Sequence, residues 1–280
     1  MGEGVAYLER IKRNERICAM IQMLSASPNH IITLSHFCEM FGAAKSTVSE
    51  DIDIAADVLQ RYGLGTLQTV AGSAGGVRYL PLADDKRSLA EMETLCKELS
   101  LPERILPGGF LYVGDVFSNP AVVEGMGRIL AGPHHENRPD FVLTVETQGV
   151  PVALMTARAL AVPLVIARRN ATHTDGSVVS INYVTGSTRT MATMSLSRRV
   201  VQSGQRALII DDFMKGGGTA RGMMDLMGEF NVEVMGMGVV IATAQPEAKL
   251  VQAYRPLLVL EAVDEARREV HMRPAQWLFG

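Results

Sequence analysis

Residues 207–219 constrain this chain more than any other stretch. A short apolar run, Ala207, Leu208, Ile209 and Ile210, ends in two adjacent acids, Asp211 and Asp212. Phe213, Met214 and Lys215 lead into Gly216, Gly217 and Gly218, and a helix is expected from Thr219. This order describes a buried strand that delivers carboxylates to a glycine turn. Glycine lets backbone N–H groups approach an anion closely, and the following helix N-terminus adds a favourable partial charge. The loop is therefore built to cradle a phosphate, and paired carboxylates suit the vicinal hydroxyls of a ribose.

The motif resembles the phosphoribosyl-pyrophosphate (PRPP) motif of type I phosphoribosyltransferases, with one departure. Nucleotide-forming enzymes usually carry two threonines between the acids and the final Gly-x-Thr, where this chain has Lys215 and Gly216. In that respect the string from Asp211 to Thr219 looks like the purine operon repressors of Gram-positive bacteria. The resemblance implies a winged-helix DNA-binding domain fused to a phosphoribosyltransferase-like domain that binds PRPP as an effector and catalyses nothing.

The first eighty residues are consistent with such a DNA-binding part. Leu8, Ile11, Ile17, Ile21 and Leu24 fall near helical spacing and predict a helix over 7–24, broken by Pro28 and Asn29. Leu34, Phe37 and Phe41 predict a second helix that stops at Gly42. A third is expected from Ser46 or Thr47, with Val48, Ile52, Ala55 and Leu59 on its apolar face and Thr47 and Glu50 in capping-box form. Two short helices joined by a glycine turn make a helix-turn-helix, although the spacing alone also fits an ordinary three-helix cluster. Recognition residues sit near the start of the second helix of the pair, which selects Lys45, Ser46, Thr47 and Ser49. Lys12, Arg13 and Arg16 form a basic cluster. Runs 67–70 and 77–80 predict a hairpin placed like a wing, with Arg78 at its base. Lys12, Arg13 and Arg78 complete the expected DNA-binding set. One count opposes it: residues 1–80 hold seven Lys and Arg against eight Asp and Glu, where a DNA-binding domain is often basic.

Two domains are expected, 1–80 and 81–280, with a linker over 81–86 and a helix over 88–99. Strands are expected at 110–113, 141–145, 164–167, 207–210 and 234–241, and helices at 121–130, 151–160 and 219–230. Such alternation argues for a parallel sheet covered by helices, and ligands bind such sheets beyond the carboxyl ends of the strands. The fold class is thus α/β, an N-terminal winged helix-turn-helix followed by a phosphoribosyltransferase-like parallel α/β domain. A second loop follows 141–145, namely Glu146, Thr147, Gln148 and Gly149. By resemblance it is the pyrophosphate loop, which in these folds often carries a non-proline cis peptide. The repressors commonly have lysine where this chain has Gln148, and Arg168 or Arg169 is the substitute cation. Segments 177–187 and 190–196 read as a β-hairpin in the place of the enzymes' lid. His134, His135 and His173 read as surface residues, since no paired carboxylate can be placed beside them.

Composition excludes other classes. Hydrophobic residues make up 47% of 280, which suits a globular chain rather than a disordered one. No apolar run reaches the ~18 residues of a membrane helix. Cys18, Cys38 and Cys96 are too few and too scattered for a disulfide framework or a Cys-x-x-Cys metal site, and fit a reducing cytoplasm. The expected protein is a cytoplasmic homodimer that regulates purine genes. It has no catalytic residues and no resident metal or required cofactor. Its partners are operator DNA and PRPP accompanied by magnesium, with the alarmone ppGpp as a competitor. The competing readings are an active purine phosphoribosyltransferase with a fused N-terminal domain, and an RNA-binding regulator.

Overall fold

A computed structural model describes residues 11–72, 75–82, 84–169, 176–185 and 190–279. The chain divides into two compact units, Met1–Leu82 and Ala83–Gly280.

In the first unit, α1 (Arg13–Ala26), α2 (Leu34–Phe41) and α3 (Lys45–Arg61) surround a core of Met20, Leu24, Phe37, Val48 and Ile52. Part of the helix expected over 7–24 lies outside the described residues. The α2–α3 turn depends on Gly42, whose φ of 58° is left-handed and whose N–H caps the Cys38 carbonyl. Helix α3 begins at Lys45, one or two residues earlier than expected, with Ala44 at its N-cap and no side-chain cap. The capping box is therefore absent: Thr47 already lies inside the helix, and Glu50 bonds elsewhere. Strands β1 (Thr66–Val70) and β2 (Gly76–Leu80) form the antiparallel wing. Ile32 bridges to Val77 through two 2.9 Å backbone hydrogen bonds. Only glycine fits at 76, because a Cβ there would lie 2.2 Å from the Ile32 carbonyl oxygen.

In the second unit, α4 (Asp85–Leu99) starts inside the expected linker, because the Asp84 side chain accepts from Arg87 N–H and caps it. The strand expected over 110–113 is instead a two-residue piece, β4 (Phe110–Leu111), paired with β3 (Ile105–Leu106) outside the main sheet. Val113 already leads into α5 (Gly114–Ser118), which precedes α6 (Pro120–Ala131).

The main sheet has the order β12-β11-β10-β9-β5-β6. Its strands are β5 (Phe141–Val145), β6 (Leu164–Ala167), β9 (Arg206–Met214), β10 (Glu233–Thr243), β11 (Arg255–Asp264) and β12 (Glu269–Pro274). All neighbours are parallel except β11 and β12. Helices α7 (Val150–Leu160) and α8 (Gly218–Glu229) supply two of the crossovers. The hydrophobic core forms two clusters, one containing residues of α4, α6 and α7 and the other residues of α8 and the hairpin β7 (Val178–Val184) and β8 (Met191–Ser197). The hairpin approaches α8 closely at Gly222, where a Cβ would lie 3.0 Å from Met194 and Tyr183.

Strand β9 continues through both acids to Met214 rather than ending at Ile210. Strand β10 is the reason, since it pairs with β9 as far as Phe213 and Met214. The acids are therefore fixed by a sheet instead of a loose loop. His135, expected at the surface, is buried, because the turn Gly132–His134 folds back and sets His134 against Gly236 of β10. His173 lies outside the described residues.

Candidate functional site

The carboxyl ends of β5 and β9 bring the two expected loops together. The peptide between Glu146 and Thr147 is cis. Gly149 ends this loop and packs so closely that a Cβ would lie 2.9 Å from Thr144 Oγ1 and 3.3 Å from the Asp212 nitrogen. Thr147 and Gln148 are exposed. Glu146 accepts from the Arg169 N–H at 3.3 Å and lies 3.8 Å from Arg168 Nε. Arg168 is itself fixed by paired backbone hydrogen bonds to Ser195 on β8. A cavity of about 570 Å³ opens here, lined by Glu146, Thr147, Arg168, Ser195 and Ser197 over an apolar wall that includes Val150 and Val178.

Burial changes residue by residue along the last part of β9. Asp211 is buried, Asp212 half-buried, Phe213 exposed and Met214 buried. Met214 is buried and packs into the core beneath the turn, and it also lines the small recess there. Burial pushes the Asp211 carboxyl well above the usual carboxylate range, and the charge of Asp212 pushes it further. Its Oδ1 accepts from the Asp212 N–H at 3.1 Å. Asp211, Phe213, Lys215, Gly217, Gly218 and Thr219 converge on a recess of about 60 Å³. Gly217, at φ 81°, is the N-cap of α8, and the first N–H groups of a helix have no acceptor within it. The recess thus combines a helix N-terminus with a carboxylate at a strand end.

The β10–β11 connection braces this turn from behind, a contribution that no sequence spacing signalled. Lys249 Nζ donates to the Lys215 carbonyl at 2.7 Å and to the Pro246 carbonyl at 3.1 Å, and Leu250 N–H donates to the Gly216 carbonyl at 3.0 Å. Burial lowers the Lys249 pKa.

In the first unit, Lys45, Ser46 and Ser49 are exposed at the start of α3, while Thr47 is half-buried. Lys12 is exposed, and its backbone N–H donates to Glu15 at 2.8 Å. The other two expected DNA contacts are held within the protein. Arg78 donates to Gln68 at 2.8 Å and Asn29 at 2.9 Å, and Arg13 donates to Glu50 at 2.9 Å.

Comparison with known proteins agrees with this division. Residues 12–81 match the model for the N-terminal part of the bacterial purine repressor, and residues 113–265 match the phosphoribosyl transferase domain. The chain is 39% identical over 269 residues to the purine biosynthesis transcriptional repressor PurR of Bacillus subtilis, covering 96% of this chain and 94% of that protein. The chain belongs to the PurR family of purine biosynthesis transcriptional regulators. A second PurR relative, from Lactococcus lactis subsp. lactis, is 36% identical over 94% of this chain and 97% of its own, and is named a transcriptional activator. Membership of the PurR family therefore leaves the sign of regulation open. An adenine phosphoribosyltransferase from Rhodothermus marinus shares the fold, with a TM-score of 0.51 at 22% identity over 61% of this chain and 99% of its own. Among the described residues, no helix is long and apolar enough to cross a membrane.

Proposed function

We propose that this regulator binds PRPP, without turning it over, at the junction of the β5 and β9 loops, and that PRPP lowers its affinity for operator DNA upstream of purine genes. The close packing of Gly149 against Thr144 and Asp212 supports the reading most, because it brings the loop over 146–149 beside the acids of β9 and the turn that follows them. In this reading the turn from Lys215 to Thr219 takes the 5-phosphate. Asp211 and Asp212 accept from the ribose hydroxyls, and Glu146, Thr147, Gln148 and Gly149 meet the diphosphate with Arg168. Phe213 and Lys215 tune effector contact.

Two observations favour an effector site over an enzyme. Lys215 and Gly216 occupy the places of the enzymes' threonines, and the Lys215 carbonyl is tied back by Lys249. Magnesium comes with the diphosphate, a multiply charged oxygen ligand; among the described residues no cluster of three or more His, Cys, Asp or Glu is arranged to hold a metal. The alarmone ppGpp competes, since it also presents pyrophosphate and ribose. A homodimer of this cytoplasmic protein docks two α3 helices in two half-sites, with Lys45, Ser46, Thr47 and Ser49 at the bases and phosphates. Lys12, Arg13 and Arg78 contact the backbone.

Titration calorimetry tests the effector site. Charge-assisted hydrogen bonds contribute ~1.5–3 kcal/mol, so Asp212→Ala should lower PRPP affinity roughly tenfold to a hundredfold, and Asp211→Ala, whose carboxyl is held toward its neutral form, by less. Full affinity in the double variant would defeat the placement. Nucleotide formation from PRPP and any purine base would return the protein to the enzymes.

A further inference from the structure

The first unit binds DNA yet carries more acid than base, and one ion network accounts for where its charge goes. Asp51 of α3 is fully buried and receives Arg16 Nε at 2.6 Å. Arg16, also buried, gives Nη1 to the Ile11 carbonyl at 2.8 Å. That pair ties α1 to α3 and would be costly to break. Arg13 lies across the outside of it. Its Nε is 3.1 Å from Asp51 Oδ1 without an aligned hydrogen bond, and its Nη2 donates to Glu50 at 2.9 Å.

The Arg13 and Glu50 side chains are 53% and 64% exposed, so both are open to solvent. Glu50 directly follows Ser49, and it sits one helical turn beyond Ser46 on the exposed start of α3. It therefore borders the surface that the proposed DNA contacts occupy, and this inference rests on that placement.

We infer that Glu50 is an internal stand-in for a DNA phosphate: it neutralises Arg13 in the free protein and holds down sequence-independent binding. A guanidinium prefers a paired, planar oxygen acceptor, and carboxylate and phosphate offer the same one. On the duplex, a phosphate exchanges with the Glu50 carboxylate on Nη2. The freed carboxylate takes up a cation, which offsets the one the phosphate releases. The contact then adds little affinity on any sequence, and base contacts from α3 decide where the protein stays. Asp51, by contrast, does not exchange: it is fully buried, holds Arg16, and keeps its 3.1 Å ion contact with Arg13 Nε while Nη2 changes partner.

The test is a double-mutant cycle in the full chain, Glu50→Gln and Arg13→Ala, read as affinity for operator and non-operator DNA against salt. Glu50→Gln should raise affinity for both DNAs about twofold to fivefold, the range of an exposed ion pair. It should also steepen the salt slope by up to about 0.9. In the Arg13→Ala background the same change should have little effect. Equal gains in both backgrounds would reduce Glu50 to general charge repulsion and overturn the proposal, as would no gain in either. A loss confined to operator DNA would make Glu50 a base reader and overturn it equally. Lys45→Ala separates the underlying reading: it should weaken binding with Glu50 intact, and unchanged binding would remove the placement of α3 on DNA and this inference with it. Thermal melts of each variant confirm that the buried Asp51 pair still folds the unit.

Discussion

Substituting Gly149 by alanine tests whether the two loops must meet. The backbone there has φ −71° and ψ −18°, which any residue adopts, so the change adds no backbone strain. The new methyl would lie 2.9 Å from Thr144 Oγ1 and 3.3 Å from the Asp212 nitrogen. Neither neighbour gives way easily. Thr144 is fully buried on β5, and the Asp212 nitrogen belongs to a paired strand. The loop holding Thr147 and Gln148 must instead lift away from β9. Overpacking of this kind costs ~1–3 kcal/mol. PRPP requires the loop in place, so the cost falls on the bound state and affinity should drop about 5- to 150-fold. Calorimetric titration with PRPP and magnesium reads this directly. A second substitution, Thr144→Ala, should restore much of the loss by opening the shorter contact. It sacrifices no hydrogen bond, because Thr144 Oγ1 has no partner among the described residues. Unchanged affinity in Gly149→Ala, or a loss that Thr144→Ala leaves intact, would refute the claim that loop contact organises the site.

Other expectations follow from burial. The raised Asp211 pKa means that the folded state holds a proton the unfolded state has released, so stability falls as pH rises from the ordinary carboxylate value of 3.8 through the folded value. Asp211→Asn should flatten that pH dependence and raise the Tm at neutral pH, and parallel melting profiles for the two proteins would contradict the assignment. Burial, aided by Glu93, pushes the Cys96 thiol up to about 12, whereas Cys18 is exposed. A thiol-reactive reagent near neutral pH should therefore modify Cys18 first and reach Cys96 only on unfolding. Modification of Cys96 in the folded protein would show that its helix opens far more readily than its burial implies.

The sequence revealed what is local. Four apolar residues and the β-branched Thr144 across 141–145 give strand β5, and the order of acids, glycines and threonine marks a strand–turn–helix. The two helices either side of Gly42 follow from the spacing of Phe37, Phe41, Val48 and Ile52, while spacing alone left an ordinary three-helix cluster open. What it hid depends on partners far away in the chain. Strand β9 runs past its acids because β10 pairs with it. Met214 packs with Ala207 and Ile209 rather than with Leu208 and Ile210, a placement that the period of a strand does not give. Glu50 leaves its expected cap for Arg13, 37 residues earlier, and Lys249 reaches back 34 residues to the Lys215 carbonyl. Strands β11 and β12 lie outside the sequence expectation: β11, with its apolar run 257–260, pairs with β10, and β12 adds antiparallel on the outer edge of β11.

The central claim is that PRPP bound to one unit is felt by DNA bound to the other. An effector can do this only if it favours one DNA-binding state over the other. Operator affinity measured across a PRPP titration, at fixed salt and magnesium, tests it most directly. Coupling energies of ~1–3 kcal/mol are typical, so saturating PRPP should weaken operator binding about 5- to 150-fold. Superimposable binding curves with and without PRPP would contradict the account, and tighter binding would reverse its sign.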